Sequence, residues 1–124
     1  MARVLVIEDE PAVRDLVTRM LSRVGHEVVE ANEGREGLRL FEQSPTDLVI
    51  TDINMPGMDG HEVIATFRKR HPGVPIVAIS GGGSASKDEL LMNAAALGAV
   101  EVITKPFEFQ QFVGAVGRAL ELRG

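Results

Sequence analysis

The sequence predicts a doubly wound α/β domain, a five-stranded parallel sheet with helices on both faces. Two observations point there. Apolar runs of strand length alternate five times with segments of helical period, and no linker or low-complexity tract is left over. Most of the strand runs are continuously aliphatic, as expected where helices cover both faces of a sheet.

The elements follow in order. The first strand is read at Val4 to Ile7. Val13, Leu16, Val17, Met20, Leu21 and Val24 then recur at the 3, 4, 7, 8 spacing of one buried helical stripe, with Pro11 near the start and Gly25 just past the end. A second strand covers Glu27 to Ala31, and Asn32-Glu33 reads as an ordinary turn before a helix at about 34–43. The third strand, Leu48 to Thr51, precedes a helix at about 60–70 that carries Val63, Ile64 and Phe67. Ile76 to Ile79 forms the fourth strand, followed by a helix at about 84–97, where Ala94-Ala95-Ala96 favours helix. Val100 to Ile103 is the fifth strand, and Phe109, Phe112, Val113, Val116 and Leu120 mark the last helix.

Composition narrows the functions available. A chain of 124 residues holds one domain, 1–124, with a real core. No window approaches the roughly 18 apolar residues of a membrane span, and the N-terminus lacks a secretory signal, so a cytoplasmic protein is expected. With no cysteine there is no disulfide, thiol nucleophile or zinc-thiolate site, and any metal must be held by oxygen or histidine. The formal charge of −5 argues against nucleic-acid binding through a broad basic face. The one basic run, Arg68-Lys69-Arg70, reads as a solvated helix end. His26, His61 and His71 have no spacing that makes a metal site.

Right-handed crossovers bring the C-terminal ends of all parallel strands to one edge, where ligands collect at the reversal of strand order. The residues arriving there are Glu8-Asp9-Glu10, Asp52-Ile53-Asn54, Ser80-Gly81 and Thr104-Lys105-Pro106. If the first and third strands are neighbours, Glu8, Asp9 and Asp52 come within several ångströms. Three such carboxylates repel, and one keeps its proton unless a cation compensates. A carboxylate-rich, all-oxygen site suits Mg²⁺. Lys105 adds a second positive charge and Ser80 a hydroxyl. These are the parts needed to handle a phosphoryl group, with metal and lysine neutralising its oxygens while a carboxylate attacks in line.

At these residues the whole chain resembles the receiver domain of two-component response regulators. The matching stretches are VLVIEDEP, DLVITDINMPGMDGHEV, IVAIS and GAVEVITKPF. The resemblance implies a flavodoxin-like (βα)5 sheet in the order 2-1-3-4-5 and a phosphoprotein of bacterial signalling. Asp52 would be the phospho-acceptor, loaded from a histidine kinase or a histidine phosphotransfer protein. Asp9 and Asp52 would bind Mg²⁺ directly, Glu8 through water and Asn54 through its backbone carbonyl, with Mn²⁺ able to substitute. Ser80 would hydrogen-bond a phosphoryl oxygen, Lys105 would pair with the carboxylate or phosphoryl group, and the Lys105-Pro106 bond would be cis. Output would pass through the fourth helix, fifth strand and fifth helix to a downstream protein. The chain would be no enzyme beyond self-catalysed phosphoryl transfer and dephosphorylation. It would be a monomer or weak dimer without membrane contact. Because the chain ends at Gly124, just past the last predicted helix, a stand-alone receiver is expected. A phosphorelay shuttle is the variant within this class.

Two features depart from the family pattern. Val102 stands where receivers commonly carry an aromatic ring three residues before the lysine, so an aromatic rotamer switch is absent. Ser80 and Lys105 are 25 positions apart, a few more than usual, and the excess falls in the loop that holds Gly81, Gly82 and Gly83. As a nucleotide cradle that loop fails, because Ser86 stands where a phosphate loop needs glycine and Asp88 where it needs a hydroxyl. The glycines are instead expected to leave the loop mobile until a phosphoryl group draws Ser80 inward. Two other classes fit less well. An aspartyl-phosphate phosphatase needs a general acid at position 54, where asparagine stands. A flavodoxin-like FMN module needs a phosphate loop after the first strand, where Glu8-Asp9-Glu10 would repel it.

Overall fold

The computed structural model describes residues 2–53, 60–80 and 98–122. Its strands are β1 (Arg3–Ile7), β2 (Glu27–Ala31), β3 (Leu48–Asp52), β4 (Ile76–Ser80) and β5 (Glu101–Thr104). The described helices are α1 (Pro11–Arg23), α2 (Gly34–Gln43), α3 (Gly60–Arg70) and α4 (Phe109–Glu121). The helix expected at about 84–97 lies outside the described residues, as do Asn54 to Asp59 and Gly81 to Gly83. All strand pairs are parallel, in the order β2-β1-β3-β4-β5.

The two-residue period of a strand divides each aliphatic run between two cores. Leu5, Ile7 and Val49 face α2 and α3, packing with Leu38, Phe41, Val63, Ile64 and Phe67. Val4, Val6, Ile50, Val77 and Ile103 face the other way, onto Val17 and Leu21 of α1 and Phe112, Ala115 and Val116 of α4. This two-sided burial explains why Val4 to Ile7, Leu48 to Ile50 and Ile76 to Ile79 are uninterrupted aliphatic runs. Each fully buried Ile, Leu or Phe contributes about 1.5–3 kcal/mol of transfer free energy.

The connections fix the strand mouths. Pro11 occupies the first turn of α1, where its missing N–H costs nothing. The helix ends in a Schellman motif: Gly25, at φ 90°, donates to the Ser22 carbonyl and His26 donates to that of Leu21. In α2 there is no room for a side chain at Gly37, because a Cβ would run into the end of Ile7. That close approach seats α2 on β1.

Three readings from sequence change in detail. Asp52, Ser80 and Thr104 belong to their strands, because the parallel ladder continues through Asp52↔Ile79 and Ser80↔Thr104; Val100, expected to open β5, falls just before it. Asn32-Glu33 is more than a turn, since the Glu33 carboxylate caps α2 by accepting from the Glu36 amide. Arg68 is not a solvated helix end, although Lys69 and Arg70 are exposed. Its stem packs over Gly98, and Nη1 donates to the Pro72 carbonyl at 3.0 Å. Among the described residues, Nε and Nη2 are buried without a hydrogen-bond partner, and burial pushes the guanidinium pKa down.

Candidate functional site

The site lies at the C-terminal ends of β1, β3, β4 and β5, beside the reversal of strand order between β1 and β3. Beyond β1, the Glu8 amide still donates to Ala31 of β2 at 3.0 Å, so the sheet ladder carries Glu8 one step past the strand. Asp52 ends β3, and the following Ile53 amide donates to Ile79. Ser80 ends β4, and its carbonyl accepts from the Lys105 amide at 2.8 Å, which brings the end of β5 against β4. The Lys105-Pro106 peptide is cis.

These backbone links bring the side chains together. Lys105 Nζ lies 3.1 Å from Glu8 Oε1, 3.3 Å from Asp52 Oδ2 and 3.6 Å from Glu10 Oε1. Glu8 and Asp52 are 1% and 2% exposed, so the ammonium bridges two desolvated carboxyl groups. Carboxylate oxygens of Glu8, Asp9, Glu10 and Asp52 all fall within 4.8 Å of one another. Ser80 is fully buried at the same edge. Val102 is half-buried, paired with Ala78 and packed on the α2/α3 core. Asn54 and Gly81 to Gly83 fall outside the described residues.

The electrostatics follow from this crowding. Burial pushes the Glu8 carboxyl up to about 8, and a hydrogen bond to Asp52 and the Asp52 charge push the same way; Lys105 opposes them. Without a cation the Glu8 carboxyl therefore holds its proton to higher pH than an ordinary carboxyl does. Burial alone would lower the Lys105 ammonium, but hydrogen bonds and charges from Glu8 and Asp52 outweigh it and the net shift is upward. Among the described residues, Glu8 Oε2 is buried with no hydrogen-bond partner. A hard divalent cation fits this donor set, since its bound water would engage the orphaned oxygen and its charge would favour the ionised form of Glu8.

Sequence reasoning placed Glu8, Asp9, Asp52, Ser80 and Lys105 at this edge, and the structure brings them together. It gave Glu10 no role, yet Glu10 joins the acidic cluster and contacts Lys105. Its adjacency to Asp9 at the mouth of β1 was the available signal.

The chain has recognisable relatives among known proteins. Residues 4–117 match the response regulator receiver domain. The response regulator protein FleR of Pseudomonas aeruginosa is 33% identical over 117 residues, covering 94% of this chain and 24% of that protein. The transcriptional regulatory protein TcrA of Mycobacterium tuberculosis is 32% identical over 122 residues, covering 98% of this chain and 47% of that one. The chain thus spans less than half the length of these two relatives. Among solved structures, a response regulator receiver domain protein from Clostridium thermocellum superposes with a TM-score of 0.88 at 30% identity, covering 98% and 95% of the two chains. The receiver domain of NtrX from Brucella abortus gives 0.89 at 36% identity, covering 95% and 98%.

Proposed function

The chain belongs to the response regulator receiver family, and from that premise we propose that Asp52 accepts a phosphoryl group from a phosphohistidine donor. The observation that carries the reading is Lys105 Nζ between Glu8 Oε1 and Asp52 Oδ2. A lysine held there meets the charge that appears when the Asp52 carboxylate is loaded. An Asp52 oxygen forms the new bond to phosphorus, the phosphorus–nitrogen bond of the donor breaks, and the imidazole leaves with the electron pair. Lys105 neutralises charge on the transferred oxygens, and the Ser80 hydroxyl is the donor for one of them.

Glu8, Asp9 and Asp52, with the Asn54 carbonyl, are the groups that would hold Mg²⁺ or Mn²⁺; Glu8 would act through water. The bound cation supplies neutralisation of the carboxylates and of the incoming phosphoryl oxygens. Output goes to a protein partner through Ser80 and the glycines that follow it, and through the face of the helix expected at about 84–97, β5 and α4. With Val102 in β5, this transmission uses no aromatic ring. The chain is a phospho-acceptor, with self-catalysed transfer and dephosphorylation its only chemistry, and a shuttle role in a phosphorelay uses the same steps. The absence of nucleic-acid contact is proposed for these 124 residues; the transcriptional name of TcrA describes a longer protein. Among the described residues no helix is long and apolar enough to cross a membrane.

The test is incubation with Mg²⁺ and a small acyl phosphate donor, followed by intact-mass measurement. One added phosphoryl group is expected, absent without Mg²⁺ and absent in Asp52→Asn. A D52N chain that still gains the label refutes the assignment.

A further inference from the structure

The loop that carries Glu8, Asp9 and Glu10 is weakly held by its own residues. Glu10 is the N-cap of α1, yet its side chain makes no capping hydrogen bond, and Pro11 contributes no amide. Among the described residues, two contacts hold the Glu8 backbone instead. Its N–H donates to the Ala31 carbonyl at 3.0 Å, and its C=O accepts from Arg14 Nη1 at 2.9 Å. The first is sheet pairing. The second comes from a side chain on the first turn of α1, aimed back at the strand mouth.

Arg14 is itself anchored. Its Nε lies 3.9 Å from Glu30 Oε2, and the same Glu30 oxygen accepts from Thr18 Oγ1 at 2.8 Å. Glu30 stands on the edge strand β2, opposite Val6 of β1. A connected set thus runs from edge strand to helix to the carbonyl of Glu8, and the Arg14 side chain is mostly covered, at 23% exposure. The planar guanidinium can present separate N–H groups to Glu8 and Glu30 at once, which a single ammonium cannot do with the same geometry.

We infer that Arg14 is a positioning residue of the cation site: by clamping the Glu8 carbonyl it orients the Glu8 and Asp9 side chains for a divalent cation. The inference rests on the reading of Glu8, Asp9 and Asp52 as cation ligands. Outer partners that orient ligands typically change metal affinity by about 10- to 100-fold when lost. Geometry and charge predict opposite signs here. Removing a cation beside an acidic cluster tightens Mg²⁺ binding if only Coulomb's law acts. Releasing the loop weakens it.

The experiment measures the Mg²⁺ dissociation constant by calorimetry for the parent chain, Arg14→Met, Arg14→Lys and Arg19→Met. Arg19 pairs with Asp15 on the exposed side of α1, so R19M removes the same charge from the same helix without touching Glu8. R14M should bind Mg²⁺ about tenfold more weakly. R14K keeps the charge and alters the reach, so its expected weakening, about threefold, reports geometry alone and serves if R14M does not fold. R19M should bind as the parent does or slightly tighter. In the metal-free protein, amide exchange at Asp9 and Glu10 should accelerate in R14M. With the acyl phosphate donor, R14M should need more Mg²⁺ for half-maximal labelling while its rate at saturating Mg²⁺ stays within about twofold. Parent-like or tighter Mg²⁺ binding in both Arg14 variants overturns the inference and leaves the phospho-acceptor reading standing. A parent chain that binds no Mg²⁺ overturns both.

Discussion

Glu8 makes the stability of the metal-free protein depend on pH in an unusual direction. Its folded pKa is raised from 4.5 to about 8, first by burial and then by Asp52. Between those values the folded state binds one proton more than the unfolded chain, so stability falls as pH rises. A carboxyl with this shift contributes fully below its unfolded pKa and loses its contribution as pH climbs toward its folded one. Glu8 alone then tilts unfolding free energy by up to about 1.4 kcal/mol per pH unit through the middle of that window. His26 tilts it the other way. Burial and the N-terminal ammonium lower its pKa, so its contribution is lost as pH falls through the folded pKa. Comparison with Glu8→Gln removes the Glu8 slope and leaves that of His26. The assay is urea unfolding in chelator at about pH 5.5 and about pH 7.5, followed by far-ultraviolet circular dichroism because the chain has no Trp or Tyr. Relative to E8Q, the parent should lose on the order of 2 kcal/mol between the two conditions. Saturating Mg²⁺ should abolish that loss by taking the place of the proton. Equal pH dependence in the parent and E8Q, metal-free, would refute the argument that burial and Asp52 hold a proton on Glu8.

Further outcomes follow from the same geometry. Lys105→Met should slow labelling by the acyl phosphate donor roughly 10²-fold at saturating Mg²⁺, measured as an intact-mass time course, because no other described cation lies between Glu8 and Asp52. Gly25→Ala should cost about 1–2 kcal/mol by urea unfolding; nothing lies within 4 Å of the added Cβ, so the cost is that of a positive φ alone. Phe67→Ala should cost about 3–5 kcal/mol in the same assay, since Phe67 is fully buried and meets Phe41 edge to face at 5.1 Å.

The secondary structure was largely legible because burial on both faces leaves an unmistakable local record. Val4 to Ile7 and Ile76 to Ile79 are aliphatic at every position, and the structure divides them between two cores. The polar residues that end such runs were legible as site candidates for the same reason: in a parallel sheet all strand ends of one polarity share an edge. Asp52 and Ser80 were placed just past strands read as ending at Thr51 and Ile79. Strand membership follows from backbone pairing, and both continue the ladder with Ile79 and Thr104. Glu33 and Arg68 were misread for a related reason. A capping contact depends on local backbone geometry, and the burial of Arg68 depends on Gly98, thirty positions away in sequence and adjacent in space.

What the sequence determined by itself was the layering, the family resemblance and the residue types delivered to the active edge. Those are carried by periodicity and order along the chain. Tertiary structure decided what the residues become there. Glu8 and Lys105 are 97 positions apart, and only folding sets them 3.1 Å from one another. The proton on Glu8, the bridging ammonium and the clamp of Arg14 on the Glu8 carbonyl arise from desolvation and charge contact between elements distant in sequence. Such terms depend on which groups exclude water from which others, and no local pattern of residues encodes that.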